Sequence, residues 1–210
     1  MHISEGVLSG QVLAVGAVIT IVGTTIGLRK IDYDQMVHVA ILASAFFVAS
    51  LIHVNIGPVS VHLILNGVVG LLLGLAAFPA ILTALVLQSL FFQYGGLTAL
   101  GVNTVIMGLP AILVHYLFLP LVGKSPKLTF IAGFLAGFFS IVFSCLLLGA
   151  ALWFTNEDFL KTSIAIISAH VPVMVIEGII TGFCVSFLLK VYPEILPKKI
   201  ESGKKNWKES

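Results

Sequence analysis

The stretch that decides the fold is VHLILNGVVGLLLGLAAFPAILTALVLQSLFF, residues 61–92. It holds no charged residue. As one helix it would be about 48 Å long, against about 30 Å of hydrocarbon. A proline inside it, Pro79 in "FPA" at 78–80, supplies a dividing point, because proline is well placed in the first turn of a helix. The stretch therefore reads as two short helices, with Pro79 opening the second. A re-entrant pair would leave five full crossings in the chain.

Working outward, the same apolar character continues almost end to end. Of 210 residues, 59% are hydrophobic and 10% charged, where a soluble domain carries about 25% charged residues. The composition implies an all-α, polytopic membrane bundle. The short alternating segments of a membrane β-barrel are absent from the pattern. Further spans read as residues 10–28, 35–54, 101–122 with Pro110, 128–154, and 160–192 with a break near "HVP" at 170–172. With the divided stretch, about seven transmembrane helices result.

Seven crossings sort the charges. One side receives Arg29, Lys30, Lys124, Lys127, Lys190 and the tail residues Lys198, Lys199, Lys204, Lys205 and Lys208; the other receives Lys161. Basic residues favour the cytoplasmic side. The expected topology has the N-terminus outside and the C-terminus cytoplasmic. It has a single membrane domain over 1–193 and a basic tail over 194–210. "TNED" at 155–158 then lies outside. The first basic residue, Arg29, follows the first apolar span, which does not suit a cleaved signal peptide, so Met1 is read as the mature start. The net charge of +2 gives no sign of a nucleic-acid partner.

The start, MHISEG, is chemically specific. A free α-amine, the His2 amide nitrogen and the His2 imidazole Nδ1 can chelate one ion in fused five- and six-membered rings. The geometry is planar, of the kind Cu(II) and Ni(II) adopt with nitrogen ligands. One in-plane position remains for another imidazole. The bulk of His2 disfavours removal of Met1. His53 and His62 flank the outer loop between spans two and three, and His62 can meet the N-terminus there. His38 and His115 read as packed polar groups, while His170 shares the last span with Glu177.

Glu177, inside the last span, is costly and so a functional candidate. Its roles would be proton relay, acceptor for a ligand histidine, or buried anchor. Glu5 could orient an imidazole. Gln88, Gln93, Asn66 and Asn103 are explained by hydrogen bonds between helices. Cys145 and Cys184 read as packed thiols without metal-type spacing. The pairs GTTIG at 23–27, GLLLG at 70–74, GFLAG at 133–137 and GIITG at 178–182 permit close helix contact. "VGKSP" at 122–126 falls short of a phosphate loop, because Phe118 stands where the first glycine is required. ATP hydrolysis, if used, belongs to another subunit, and no enzyme constellation accompanies the histidines.

MHISEG, GPVSVHLILNGVVGLLLG at 57–74, QYGGLTALGVNT at 93–104 and HVPVMVIEG at 170–178 together resemble the CbiM/NikM family, over residues 1 to about 193. Its members are substrate-binding components of energy-coupling-factor (ECF) transporters for cobalt and nickel. The resemblance implies a seven-helix bundle with the N-terminal segment inserted toward its centre. It implies Co²⁺ or Ni²⁺ as the transported substrate, with no permanent cofactor. It implies a metal site made of Met1, His2 and His62, with His53, Asn103 and Glu177 in support, beside the Glu5 read above. It implies three partners in the lipid bilayer system: a transmembrane coupling protein, a cytoplasmic ATPase subunit and a small accessory membrane protein. The alternative is a proton-coupled secondary metal transporter using Glu177.

Overall fold

The computed structural model describes residues 2–56 and 59–195. Met1, the basic tail from residue 196 onward, and the side chain of His53 lie outside the described residues. Seven α-helices are described: α1 Gly10–Leu28, α2 Met36–Ala49, α3 Asn66–Leu73, α4 Ala77–Phe92, α5 Leu100–Phe118, α6 Pro126–Thr155 and α7 Leu160–Val191. Between α2 and α3 lies a two-stranded antiparallel hairpin, β1 His53–Ile56 and β2 Val59–His62. Among the described residues, five stretches are long and apolar enough to cross a membrane: Gly10–Leu28, Asn66–Phe92, Leu100–Leu121, Pro126–Thr155 and Glu157–Val191. Met36–Ala49 is a shorter apolar helix. The polytopic helical architecture expected from composition is the one observed.

Three boundaries differ from expectation. The second span ends at Ala49, not at residue 54, and the chain that follows forms the hairpin. The β-branched alternation of HVNI and VSVH, with Gly57 and Pro58 between, favours strands over a helix extension. The division of 61–92 falls at Gly74–Ala76 rather than at "FPA". Gly74 takes φ +55°, which glycine adopts freely. Pro79 sits third in α4, where its missing N–H would have had no helical partner. Finally, α7 is unbroken through Pro172. Helix α6 braces it on both sides of the proline: Gly149 faces Ser163 and Ile167, while Gly133 and Gly137 face Gly182, Thr181 and Glu177. Neighbouring helices commonly let a membrane helix tolerate proline.

The glycine pairs do pack internally. A Cβ on Gly137 would come within 2.3 Å of the Glu177 carbonyl oxygen, and one on Gly70 within 2.2 Å of the Ala111 oxygen. Such backbone approaches give membrane helices their van der Waals contact, since lipid offers no hydrophobic drive between them. Cys145 is buried, Cys184 half-buried, and both are free thiols.

Helices α3 and α4 form a V. Its two arms start and finish at one end of the bundle, because His62 and Gln88 both reach His2. The apex reaches the far ends of α1 and α5: Leu75 and Pro79 touch Gly27, and Gly74 touches the His115 ring. That far end also holds the start of α2 and the end of α7, where Tyr192 Oη lies 3.5 Å from His38 Nε2. At the near end, Thr155 Oγ1 accepts the Ser9 N–H at 3.3 Å.

Candidate metal centre

The N-terminal segment turns back into the bundle ahead of α1. Ser9 caps α1, its hydroxyl accepting the Val12 N–H, while Leu8 and Ile3 are buried. The insertion is fastened by Asn103, near the start of α5 and itself buried. Asn103 Oδ1 accepts the Ile3 N–H at 2.9 Å, and its Nδ2 donates to the Ile3 carbonyl at 3.0 Å. One amide side chain thus pairs both polar groups of one residue, as a neighbouring strand would.

The loop after α4 closes over this segment. Gln93, Gly95 and Gly96 all take positive φ (+58°, +78° and +84°). The glycines are required by contact as well as by conformation. A Cβ on Gly96 would lie 2.0 Å from Glu5 Cγ, and one on Gly95 would lie 2.7 Å from Asn103 Nδ2 and 3.4 Å from His2 Cβ. Glu5 accepts the Thr98 N–H at 3.0 Å, so it ties down the loop. The Tyr94 ring stands 6.2 Å from that of His2.

His62 reaches the same place from the other side. It ends β2, four residues before α3, rather than lying on the third helix. It is buried, and its backbone pairs with that of His53. The chain beyond it is anchored by Glu177, whose carboxylate accepts the N–H groups of Ile64 and Leu65. Leu65 takes φ +61° just before α3, and the anchored amides hold that turn. Of the three roles considered for Glu177, the geometry is that of the buried anchor.

The two imidazoles converge. His2 Nδ1 lies 3.2 Å from His62 Nε2, with ring centroids 4.9 Å apart. The remaining nitrogen of each ring faces an oxygen: His62 Nδ1 donates to the Leu63 carbonyl at 3.0 Å, and His2 Nε2 donates to Gln88 Oε1 at 2.8 Å. A neutral imidazole has one N–H. The two facing nitrogens stand close enough to share one hydrogen bond.

His38, His115 and His170 make other bonds. His115 Nδ1 is bonded to the Gly70 and Leu71 carbonyls at 3.0 and 3.1 Å, His170 Nδ1 to the Ile166 carbonyl at 2.8 Å, and His38 faces Tyr192. Among the described residues, no group of three or more His, Cys, Asp or Glu side chains is placed to hold a metal. The residue that sequence reasoning passed over is Gln88, taken for a helix-to-helix contact. Its signal was an uncharged amide in a largely apolar helix.

The comparisons with known proteins agree on the class of molecule. The chain is 40% identical over 201 residues to a putative metal transport protein of Haemophilus influenzae, covering 93% of this chain and 97% of that protein. It is 26% identical to a putative fused nickel transport protein, NikMN, of Archaeoglobus fulgidus, covering 97% of this chain and 70% of that one. A crystal structure of a transition metal transporter has the same fold, with a TM-score of 0.75 at 24% identity over 91% of this chain and 93% of that one. The model of the CbiM family, described as "Cobalt uptake substrate-specific transmembrane region", matches residues 2–195, and this multi-pass membrane chain belongs to that family.

Proposed function

We propose that this chain is the substrate-binding membrane component of an ATP-driven uptake system for Ni²⁺ or Co²⁺. The observation that carries the reading is the convergence of His2 Nδ1 and His62 Nε2 at 3.2 Å, each with its other nitrogen already engaged. With metal–nitrogen bonds of about 2.0–2.1 Å, ligands at right angles stand about 2.9 Å apart and opposed ligands about 4 Å. The observed separation is near the first value. The Met1 amine and the His2 amide nitrogen complete the proposed set, in a planar field that suits Ni²⁺ and admits Co²⁺. The metal is substrate here and no other cofactor is proposed.

The wider arrangement follows the family. The N-terminus faces outside, where the ion arrives, and the tail over 194–210 faces the cytoplasm with most of the basic residues. The energy source is a partner ATPase, working through a transmembrane coupling protein and a small accessory membrane protein. The proton-coupled alternative rests on Glu177 and His170; in the fold the Glu177 carboxylate accepts backbone N–H groups and His170 Nδ1 bonds the Ile166 carbonyl.

Calorimetry of the purified full-length chain with Ni²⁺ and Co²⁺ tests the binding, with one ion per chain expected. Uptake by cells with and without the partner ATPase tests the coupling. Strong uptake by this chain alone, abolished by collapsing the proton gradient, would overturn the ATP-driven reading. The absence of binding to either ion would overturn the metal site.

A further inference from the structure

Gln88 is fully buried in α4 and makes an unusual use of its amide. Its Oε1 accepts from His2 Nε2 at 2.8 Å, while its own Nε2 is buried with no hydrogen-bond partner among the described residues. An unpaired buried amide is costly, and a residue retained for helix-to-helix bonding would use both ends. The backbone of Gln88 serves the same place: its carbonyl accepts the N–H groups of Gln93 and Tyr94, which start the loop closing over His2. Side chain and main chain of one residue therefore hold the ring and its cover in a single register.

The bond to His2 has a chemical consequence. An amide oxygen only accepts, so His2 Nε2 carries the proton and Nδ1 carries the lone pair. A competing arrangement lies within reach at the observed geometry. If the proton sat on Nδ1, it would be donated to His62 Nε2 across the same 3.2 Å. That arrangement satisfies both rings and consumes both lone pairs. What opposes it is the acceptor at Nε2.

We infer that Gln88 is the positioning residue that sets the ring tautomer of His2, so that Nδ1 rather than Nε2 is presented as the ligand atom. The inference deepens the metal-binding reading and rests on it. Partners of ligand histidines generally fix tautomer and ring orientation, and their loss costs 10–100-fold in metal affinity. In most such sites the partner is a carboxylate, a carbonyl or water; here a neutral amide does the work inside an apolar helix.

The test uses the full-length chain in detergent, with Gln88→Leu, which removes the acceptor, and Gln88→Glu, which keeps an acceptor oxygen. Calorimetric titration with Ni²⁺ should show Gln88→Leu weakened by about 10–100-fold and Gln88→Glu within a few-fold of the parent. Ring-¹⁵N histidine NMR of the metal-free protein, with the His2 signals identified by His2→Ala, should show the proton on Nε2 in the parent and in Gln88→Glu. In Gln88→Leu it should sit on Nδ1. Parent-like affinity in Gln88→Leu, or equal loss in both variants with the tautomer unchanged, would make Gln88 a packing residue and overturn the inference. If Gln88→Leu does not fold, the parent tautomer and the affinity of Gln88→Glu still decide it. If the parent binds no metal, the proposed function fails by itself, while the tautomer of the metal-free protein continues to judge Gln88.

Discussion

The carboxylate of Glu177, midway along α7, accepts the backbone N–H of Leu65 at 2.9 and 3.0 Å, across 112 residues of chain. The link joins the deepest part of the bundle to the turn that aims His62. Removing the carboxylate leaves the N–H groups of Ile64 and Leu65 buried without their acceptor, at about 1–3 kcal/mol for each group. Glu177→Leu should therefore lower the thermal midpoint in detergent and weaken metal binding together. Glu177→Gln retains one acceptor oxygen and should lie between Glu177→Leu and the parent. A Glu177→Leu protein with unchanged melting would show that the anchor contributes nothing.

His62 and His115 are a matched pair for testing the ligand assignment, since each substitution by alanine removes one imidazole. His62→Ala opens one proposed ligand position and should weaken Ni²⁺ binding by at least about tenfold, or about 1.4 kcal/mol. It should also shift the visible absorption of bound nickel. His115 is spent on the Gly70 and Leu71 carbonyls and packs against Gly74. His115→Ala should cost stability and leave the absorption unchanged. The reverse pattern would move the site away from His62.

Position matters as much as identity at the N-terminus. The Asn103 clamp on Ile3 sets how far the segment reaches. One extra residue before Met1 therefore displaces the charged amine while the clamp stays where it is. Most metal binding should be lost, with circular dichroism and elution volume unchanged. Tight binding by the extended chain would remove the amine from the proposed ligand set.

The loop glycines offer a test that touches no proposed ligand. Gly96→Ala imposes a left-handed conformation on alanine, costing about 1–2 kcal/mol, and places its Cβ 2.0 Å from Glu5 Cγ. Metal affinity should fall as the inserted segment is pushed out. Glu5→Ala deletes the obstructing atom and gives up the partly solvated bond to Thr98. The double variant should bind more tightly than Gly96→Ala alone, a non-additivity expected of groups in contact. Additive losses would mean the clash is relieved by the loop instead.

Hydrophobic length and charge placement alone determined the class of fold and most of its elements. The run 10–28 is read at its observed bounds because nothing interrupts it and Arg29 follows. Composition is sufficient there, since a membrane helix satisfies its own backbone and needs only apolar length. The chelate proposed for Met1 and His2 is a reading of local sequence, because its atoms are adjacent in the chain. The elements that bring other groups to His2 were not legible. The hairpin over 53–62, the break at Gly74 rather than Pro79 and the continuity of α7 through Pro172 each depend on which neighbour is in contact. Gly74 meets His115, and α6 braces α7. Gln88 passed for a helix-to-helix contact because its partner lies 86 residues away, on a segment that must first fold back under the loop over Gly95 and Gly96. Local sequence sets what a residue can donate or accept; only the tertiary structure decides which distant group is there to receive it.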